Sequence, residues 1–181
     1  MLLDGERLLD RFWPTDVPDS FEELAIPFTA VATDFYGCGQ MAFSSGSLVS
    51  AVAASMALPG LIKPVNIEDK LLIDGGAVNP LPCDAVADKA DIVVAVDVTG
   101  APSAEEVSAP NAFSALFGAA QIMQAAIVKA KTSAHPPDVL VKPDIQKFGV
   151  LDFFRASRIF EAAAPAKAKL KEELAAKLAK A

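Results

Sequence analysis

Apolar runs separated by glycine, proline and acidic breaks divide this chain, and their periodicity predicts alternating strands and helices. Short β-rich runs predict strands at residues 26–33, 41–44, 61–65, 70–73, 92–98 and 138–142. The first two runs enclose a glycine-containing segment and predict a β-hairpin. The run at 92–98 is rich in β-branched residues, which is typical of a strand buried on both faces of a parallel sheet.

Helical patterns lie between these strands, at residues 19–23, 48–57, 79–87 and 111–132. Ser47 precedes the second helix as a capping residue, and Asn79-Pro80 offers a cap and a first-turn proline for the third. The longest helix has apolar residues at spacings of three and four, which predict one stripe facing the core: Phe113, Leu116, Ala120, Met123 and Ile127.

The last part of the chain has a different composition. After Pro165 it consists mainly of alanine, lysine and glutamate, with Leu170, Leu174 and Leu178 spaced by four. This pattern predicts a lysine-bearing amphipathic helix, which could be solvated, lie on a membrane or pack on a partner. We therefore expect one α/β domain over residues 1–163 and a separate terminal helix over residues 164–181. The domain is expected to have a mostly parallel central sheet with helices on both faces, plus the hairpin.

Charge narrows the range of partners. The 181 residues hold 16 basic and 23 acidic side chains, a net charge of −7, which argues against nucleic-acid binding and against attraction to anionic lipid surfaces. It does not exclude a lipid substrate, because an acyl chain enters an apolar cleft. The beginning of the sequence lacks the pattern of a signal peptide. We expect a cytoplasmic protein, with peripheral membrane contact as the alternative.

Metal and nucleotide chemistry have little support. Cys38, Cys83 and the single histidine, His135, show no metal-ligand spacing, so we expect no metal and no cofactor. His135 stands directly before two prolines, where a loop histidine is the simpler interpretation than a member of a catalytic triad. Residues 37–42 match G-x-G-x-x-A, but the pattern around them predicts a hairpin instead of the helix that a dinucleotide site needs.

The strongest candidate for chemistry is Asp74, followed by Gly75 and Gly76, at the end of the apolar run 70–73. A strand holds the carboxylate on a rigid element, and the glycines allow a tight turn and a close approach. Such an aspartate can act as general base for a hydroxyl nucleophile, although it could equally be a turn residue bonded to local backbone. No G-x-S-x-G occurs in the sequence; residues 46–50 begin with the glycine but have Leu48 at the serine position and Ser50 at the final glycine.

Three ordered segments resemble the patatin-like phospholipase family: A-S-x-A-x-P-G at residues 54–60, D-G-G at 74–76 and N-x-L-P at 79–82. Residues 31–34 and 91–98 also look like that family. The resemblance implies a three-layer α/β fold and a metal-free hydrolase of lipid acyl esters that uses a Ser-Asp dyad. Asp74 would be the dyad's general base, and Gly75 and Gly76 would shape the turn that holds it.

The sequence departs from the family at its beginning. The glycine-rich oxyanion loop and the G-x-S-x-G serine would lie before residue 1, so the family fold is expected to be incomplete at the N-terminus. Besides an acyl-ester hydrolase, two alternatives stay open: a catalytically inactive fragment or lipid-binding pseudoenzyme, and a subunit completed by a separate N-terminal half. We also expect self-association through the surface that such a half would cover. If the chain itself had esterase activity, Ser47 and Ser55 would be the first candidate nucleophiles.

Overall fold

The computed structural model describes residues 2–102, 109, 111–149 and 155–179. The chain divides into two compact units, Met1–Ala85 and Val86–Ala181. The first unit carries the Asp74 segment. Each unit contains both helix and strand, which confirms the mixed α/β class that the alternating pattern predicted. The division at residues 163 and 164 stays a prediction.

A four-stranded sheet organises the first unit, with strand order β2-β1-β4-β3. Its pairs β1–β2, β1–β4 and β3–β4 are all antiparallel. The mostly parallel central sheet expected from the sequence is therefore not found in this unit. The elements are helices α1 (Gly5–Phe12) and α2 (Leu48–Ser55) and strands β1 (Ala30–Asp34), β2 (Gly39–Phe43), β3 (Val65–Ile67) and β4 (Lys70–Asp74).

A tight hairpin explains why β3 and β4 are antiparallel. Ile67 pairs with Lys70, so only Glu68 and Asp69 form the loop, and both have positive φ. Two consecutive positive φ angles are the signature of the type I′ turn that joins twisted antiparallel strands. The sequence favours a longer connection here, because glutamate and aspartate seldom occupy these positions. As a result β3 lies at Val65–Ile67, later than the predicted 61–65.

The core of this unit forms where α2 packs on β1 and β4. Alanines dominate the contact, and small side chains let the helix approach the sheet closely; the fully buried members are Ala32, Ala53, Ala54, Ala57 and Leu72. Ser47 caps α2 as predicted, with its Oγ accepting a hydrogen bond from the Ser50 N–H at 3.2 Å. The rigid contact between α2 and the sheet fixes the strand on which Asp74 lies.

The helix predicted for residues 79–87 is wrong. The described residues form only short 3₁₀ turns there, at Cys83–Ala85 and Ala87–Lys89. The cause is the proline spacing. A residue that precedes proline is driven out of the helical region, and Leu81 precedes Pro82. Asn79 is therefore not a helix cap, and its side chain is free for another role.

The second unit contains strands β5 (Val94–Val96) and β6 (Val139–Val141) and helices α3 (Ala112–Ala134) and α4 (Ala156–Leu178). β5 and β6 pair in parallel, so the predicted parallel geometry occurs here in a two-stranded sheet. Helix α4 runs through Pro165 without interruption. The terminal helix predicted from residue 164 is therefore continuous with the residues that precede it.

The apolar stripe predicted along α3 does not form a core. Leu116 is 74% exposed and Met123 is 60% exposed, whereas Val128, outside the predicted stripe, is 7% exposed. The side chain of Phe113 lies outside the described residues. A period of three to four residues identifies a helix, but burial also requires an element that covers the stripe. The prediction of the helix is confirmed, and the prediction of a core stripe is wrong.

Candidate functional site

Asp74 is the last residue of β4, as the sequence predicted. The residues before it anchor the strand, since Leu72 is fully buried and Ile73 is nearly so. Its backbone N–H donates to the Ala57 carbonyl at 3.0 Å, and its carbonyl accepts a hydrogen bond from Thr33 Oγ1 at 2.9 Å. Both sides of the Asp74 backbone are therefore fixed, one to Ala57 just beyond α2 and the other to β1.

Gly75 lies against the backbone of β1. A Cβ on Gly75 would lie 2.8 Å from the Val31 carbonyl carbon and closer still to its oxygen, a distance that real side chains do not tolerate. Gly75 is required for this close approach, as the sequence suggested. The Ser55 Oγ donates to the same Val31 oxygen at 2.7 Å. The helix, the central strand and the turn after Asp74 thus meet at one carbonyl group.

Gly76 serves the carboxylate directly. Its N–H donates to Asp74 Oδ1 at 2.7 Å, which makes Asp74 the cap of the short 3₁₀ turn Gly75–Ala77. The Val78 and Asn79 N–H groups both donate to the Gly75 carbonyl, at 3.2 and 2.9 Å, and close the turn. We call residues 74–79 the Asp74 turn. Its backbone hydrogen bonds leave the orientation of the carboxylate little freedom.

Burial sets the electrostatics of Asp74. Removal of the carboxylate from water raises its pKa above the ordinary value of 3.8, and the hydrogen bond from Gly76 opposes this shift only in part. A raised pKa makes the carboxylate a stronger base, because burial favours its neutral, protonated form. These are the properties that general-base catalysis requires near neutral pH.

Asn79 has a role that the sequence did not indicate. It is 2% exposed, and its Nδ2 donates to Gln40 Oε1 at 2.6 Å and to Asp84 Oδ1 at 2.8 Å. Its Oδ1 is buried and has no hydrogen-bond partner among the residues that the structure describes. An acceptor left in this way costs about 1–3 kcal/mol. The sequence offers only Asn79-Pro80 here, a pair that predicts a helix start.

The second unit contains another aspartate beyond a strand end. Asp97 follows β5 and is 6% exposed. Burial opposes ionisation of its carboxyl, but hydrogen bonds from the Thr99 hydroxyl and N–H and from Lys142 Nζ outweigh it and lower its pKa. Asp97 is therefore fully satisfied by its neighbours. This is the arrangement of a structural carboxylate.

The other sequence candidates have structural partners. Ser47 caps α2, and the Ser55 hydroxyl is engaged by Val31. His135 belongs to the second unit, at the C-cap of α3. In the described part of the chain no three His, Cys, Asp or Glu side chains gather in a way that could hold a metal ion. Among the same residues no helix has the length and apolar character needed to cross a bilayer.

An apolar groove of about 350 Å³ lies in the first unit. Every lining side chain is apolar; the set comprises Trp13, Val17, Leu24, Ile26, Pro27, Phe28, Leu48 and Val52. The indole N–H of Trp13 donates to the Val17 carbonyl at 3.0 Å, so the tryptophan presents its ring to the groove with its polar atom already bonded. The groove suits a hydrocarbon better than a polar group.

The first unit thus combines helices with a sheet and places an aspartate at the end of a strand, directly before a glycine turn. Residues 2–87 match the family described as "Patatin-like phospholipase". This stretch nearly coincides with the first compact unit. Residues 2–87 of this chain therefore belong to the patatin-like phospholipase family.

Individual relatives point the same way. An uncharacterized NTE family protein of Mycobacterium tuberculosis is 40% identical over 100 residues, which is 55% of this chain and 28% of the relative. A second such protein of that organism is 31% identical over 179 residues, 87% of this chain and 30% of the relative. Patatin-like phospholipase domain-containing protein 7 of Mus musculus is 36% identical over 54% of this chain and 7% of its own length. The chain thus spans less than a third of these relatives.

Substitution of Gly75 tests the close approach to β1. We expect Gly75→Ala to destabilise the first unit by about 3 kcal/mol or more, because the new methyl group must displace backbone and not a flexible side chain. Gly39→Ala is the matched control, since a Cβ there would meet only the Gly37 carbonyl oxygen at an ordinary 3.6 Å. Urea unfolding of both variants measures the difference. Equal losses of stability would contradict the assignment.

The raised pKa of Asp74 predicts a defined pH dependence. The folded state holds the proton more tightly than the unfolded state, so this contribution to stability is complete below the unfolded pKa and is lost as pH rises through the folded pKa. Asp74→Asn stays neutral and keeps an acceptor for Gly76. We expect it to be more stable than the natural chain at pH 7 by on the order of 1 kcal/mol.

Urea unfolding at pH 7 and pH 3.5 measures this effect, with Asp10→Asn on the exposed surface of α1 as a control for the loss of one negative charge. The advantage of Asp74→Asn should disappear at the lower pH, where Asp74 is protonated. An advantage that is the same at both pH values would show that ionisation of Asp74 is not its cause.

Proposed function

We propose that this chain is part of a lipid acyl-ester hydrolase in which Asp74 is the general base of a Ser-Asp dyad. The observation that carries the proposal is the geometry of Asp74: a half-buried carboxylate, oriented by Gly76 at 2.7 Å, with its pKa raised by burial and with no basic side chain among its hydrogen-bond partners in the described part of the chain. Membership of residues 2–87 in the patatin-like family supports the substrate class.

In the proposed reaction Asp74 takes up a proton twice and releases it twice. In the first step, the carboxylate takes the proton of a serine hydroxyl while the serine oxygen attacks the acyl carbonyl. The departing alcohol then receives that proton, which leaves an acyl-serine and an ionised Asp74. A water molecule next gives its proton to Asp74 and attacks the acyl carbon, so the fatty acid leaves and the proton returns to the serine oxygen. A base with a raised pKa favours each uptake.

The nucleophile is the part of the dyad that this sequence does not provide in G-x-S-x-G form. Ser47 and Ser55 are engaged in a helix cap and a backbone hydrogen bond. The complete reaction therefore requires a serine and an oxyanion site from a longer polypeptide or from a second chain. Loss of either commonly costs several orders of magnitude in rate.

Esterase assays test the proposal. We expect the 181-residue chain alone to hydrolyse p-nitrophenyl butyrate no faster than background, because it lacks the serine turn. A polypeptide extended upstream to include a G-x-S-x-G should be active, and Asp74→Asn in it should lower kcat about 10²–10⁴-fold. Asp97→Asn is the control, as a buried strand-end aspartate without the proposed role.

One outcome would relocate the nucleophile, and another would overturn the role of Asp74. Turnover by the chain alone that Asp74→Asn abolishes would place the nucleophile within these residues, with Ser47 and Ser55 to be tested first. An extended, active polypeptide that is insensitive to Asp74→Asn would remove Asp74 from the mechanism. Activity that appears only when a separate N-terminal polypeptide is added would favour the two-subunit alternative.

A lipid-binding protein without catalysis is the second candidate, and the apolar groove favours it. Because Trp13 is the only tryptophan and lines the groove, its fluorescence reports on occupancy directly. We expect lauric acid to change the Trp13 emission in a saturable manner, and Leu24→Arg, which places a charge in the groove, to abolish the change. Leu116→Arg on the exposed surface of α3 is the matched control. An identical response from both variants would show that the groove is not the site.

A further inference from the structure

The side chain of Asn79 is used only as a donor. Both acceptors that face its Nδ2, Gln40 Oε1 and Asp84 Oδ1, lie within 2.8 Å. Its own Oδ1 is buried without a partner among the described residues. The reversed amide would turn that oxygen toward the Asp84 carboxylate oxygen, where two acceptors repel each other. Position 79 therefore requires a side chain with N–H donors, although the Oδ1 of that side chain accepts no hydrogen bond from the described residues.

The contacts of Asn79 close a ring around the Asp74 turn. At one end of the turn, Thr33 Oγ1 donates to the Asp74 carbonyl. Toward the other end, the Asn79 N–H donates to the Gly75 carbonyl while its side chain reaches Gln40. Thr33 and Gln40 are direct partners across β1 and β2. Two adjacent residues of the sheet thus hold both ends of the turn.

We propose that Asn79 is a positioning residue, whose two side-chain N–H groups clamp the Asp74 turn to β2 and to Asp84 and so fix the direction of the Asp74 carboxylate. The catalytic meaning of this clamp rests on the function proposed above. The structural role of the clamp does not rest on that function, because it predicts a property of the folded chain that can be measured without enzyme activity. That property is the hydrogen bond from the Gly76 N–H to Asp74 Oδ1.

Hydrogen exchange of the Gly76 amide is the direct readout, with the Leu72 amide in β4 as the internal reference for the whole sheet. Asn79→Asp keeps the shape of the side chain but removes both donors and places a second carboxylate beside Asp84. We expect Gly76 exchange to become about tenfold faster relative to Leu72, the effect of losing one to two hydrogen bonds. Asp84→Asn alone keeps an acceptor at position 84, so it should leave Gly76 close to the natural rate.

The double variant Asn79→Asp/Asp84→Asn is the decisive arm. It exchanges donor and acceptor, because an amide at position 84 can donate to a carboxylate at position 79, and Gln40 can turn its amide to donate as well. We expect Gly76 protection to return to within about threefold of the natural chain. Failure of the double variant to recover protection while Asn79→Asp loses it would show that the effect is not carried by these hydrogen bonds.

A milder variant decides the matter if Asn79→Asp does not fold. Gln40 is exposed on β2, so Gln40→Ala removes one of the two acceptors without opening the core. We expect faster exchange at Gly76 with Leu72 unchanged, whereas Ala42→Ser, at another exposed position of β2, should change neither. Equal acceleration at Gly76 and Leu72, or no change at Gly76 in Gln40→Ala, would overturn the proposal.

The two proposals fail separately. A clamp confirmed by exchange in a protein that shows no esterase activity even when extended would reject the hydrolase and keep the positioning role. An active extended enzyme in which Asn79→Asp changes neither Gly76 exchange nor kcat would keep the hydrolase and reject the clamp. If both hold, Asn79→Asp should lower kcat of the extended enzyme with little change in KM, and the double variant should restore it.

Discussion

The close approach of Gly75 to the Val31 carbonyl is the contact on which the arrangement around Asp74 depends. β1 is the central partner of β2 and β4, and Val31 lies within it. Because Gly75 has no side chain, the turn after β4 can fold back against that strand. The Ser55 hydroxyl reaches the same oxygen from α2. The Val31 carbonyl therefore contacts both α2 and the turn after β4. A larger residue at position 75 would push the turn away from β1.

This constraint explains how a carboxylate can be held half-buried without a cation. Asp74 obtains one oriented hydrogen bond from Gly76, and its backbone is fixed by Thr33 and Ala57. Asp97 shows the other solution available to the same chain, since Thr99 and Lys142 surround its carboxylate and lower its pKa. The two aspartates resemble each other in sequence, because each ends an apolar β-rich run. Their environments shift their pKa values in opposite directions, upward for Asp74 and downward for Asp97.

Local sequence signals predicted the elements around the site well. The strand ending at Asp74, the cap at Ser47, the hairpin of β1 and β2 and the long helix α3 all follow from periodicity, capping chemistry and glycine placement. The D-G-G and N-x-L-P segments identified the family. Each of these features is determined by residues that are close together in the chain.

Features that depend on distant partners were missed. The antiparallel direction of β3 depends on the positive φ angles of Glu68 and Asp69. Neither glutamate nor aspartate by itself indicates a positive φ angle. The exposure of Leu116 and Met123 depends on what covers α3, and a helical period contains no such information. The sequence predicts a cap at Asn79, whereas its observed contact is with Gln40, a residue that only the folded sheet brings beside it. The close approach at Gly75 was expected from the sequence, but its partner Val31 was not, because Val31 is remote in sequence.

Two other aspartates of the chain show how a carboxylate behaves when it caps a backbone N–H group, and Asp74 differs from both. Asp4 makes the same kind of contact, its carboxylate accepting the Arg7 N–H at 3.2 Å, and that hydrogen bond lowers its pKa. Asp138 likewise accepts the Val93 N–H and has a lowered pKa. Asp74 makes a shorter bond of this type, yet burial raises its pKa. A carboxylate used only as a cap gains nothing from being removed from water.

The same turn also contains Asn79 Oδ1, a buried oxygen without a hydrogen-bond partner in the described part of the chain. Folding free energy is thus given up at two adjacent points of one rigid segment, where an exposed cap would avoid both costs. Departures from local stability that concentrate in this way are typical of functional sites, where the surrounding structure must hold an unfavourable group in place. The anchoring of the turn to Ala57, Val31 and Thr33 provides that support. These two costs support the proposed role of Asp74 as a general base, because a residue that served only as a cap would not require them.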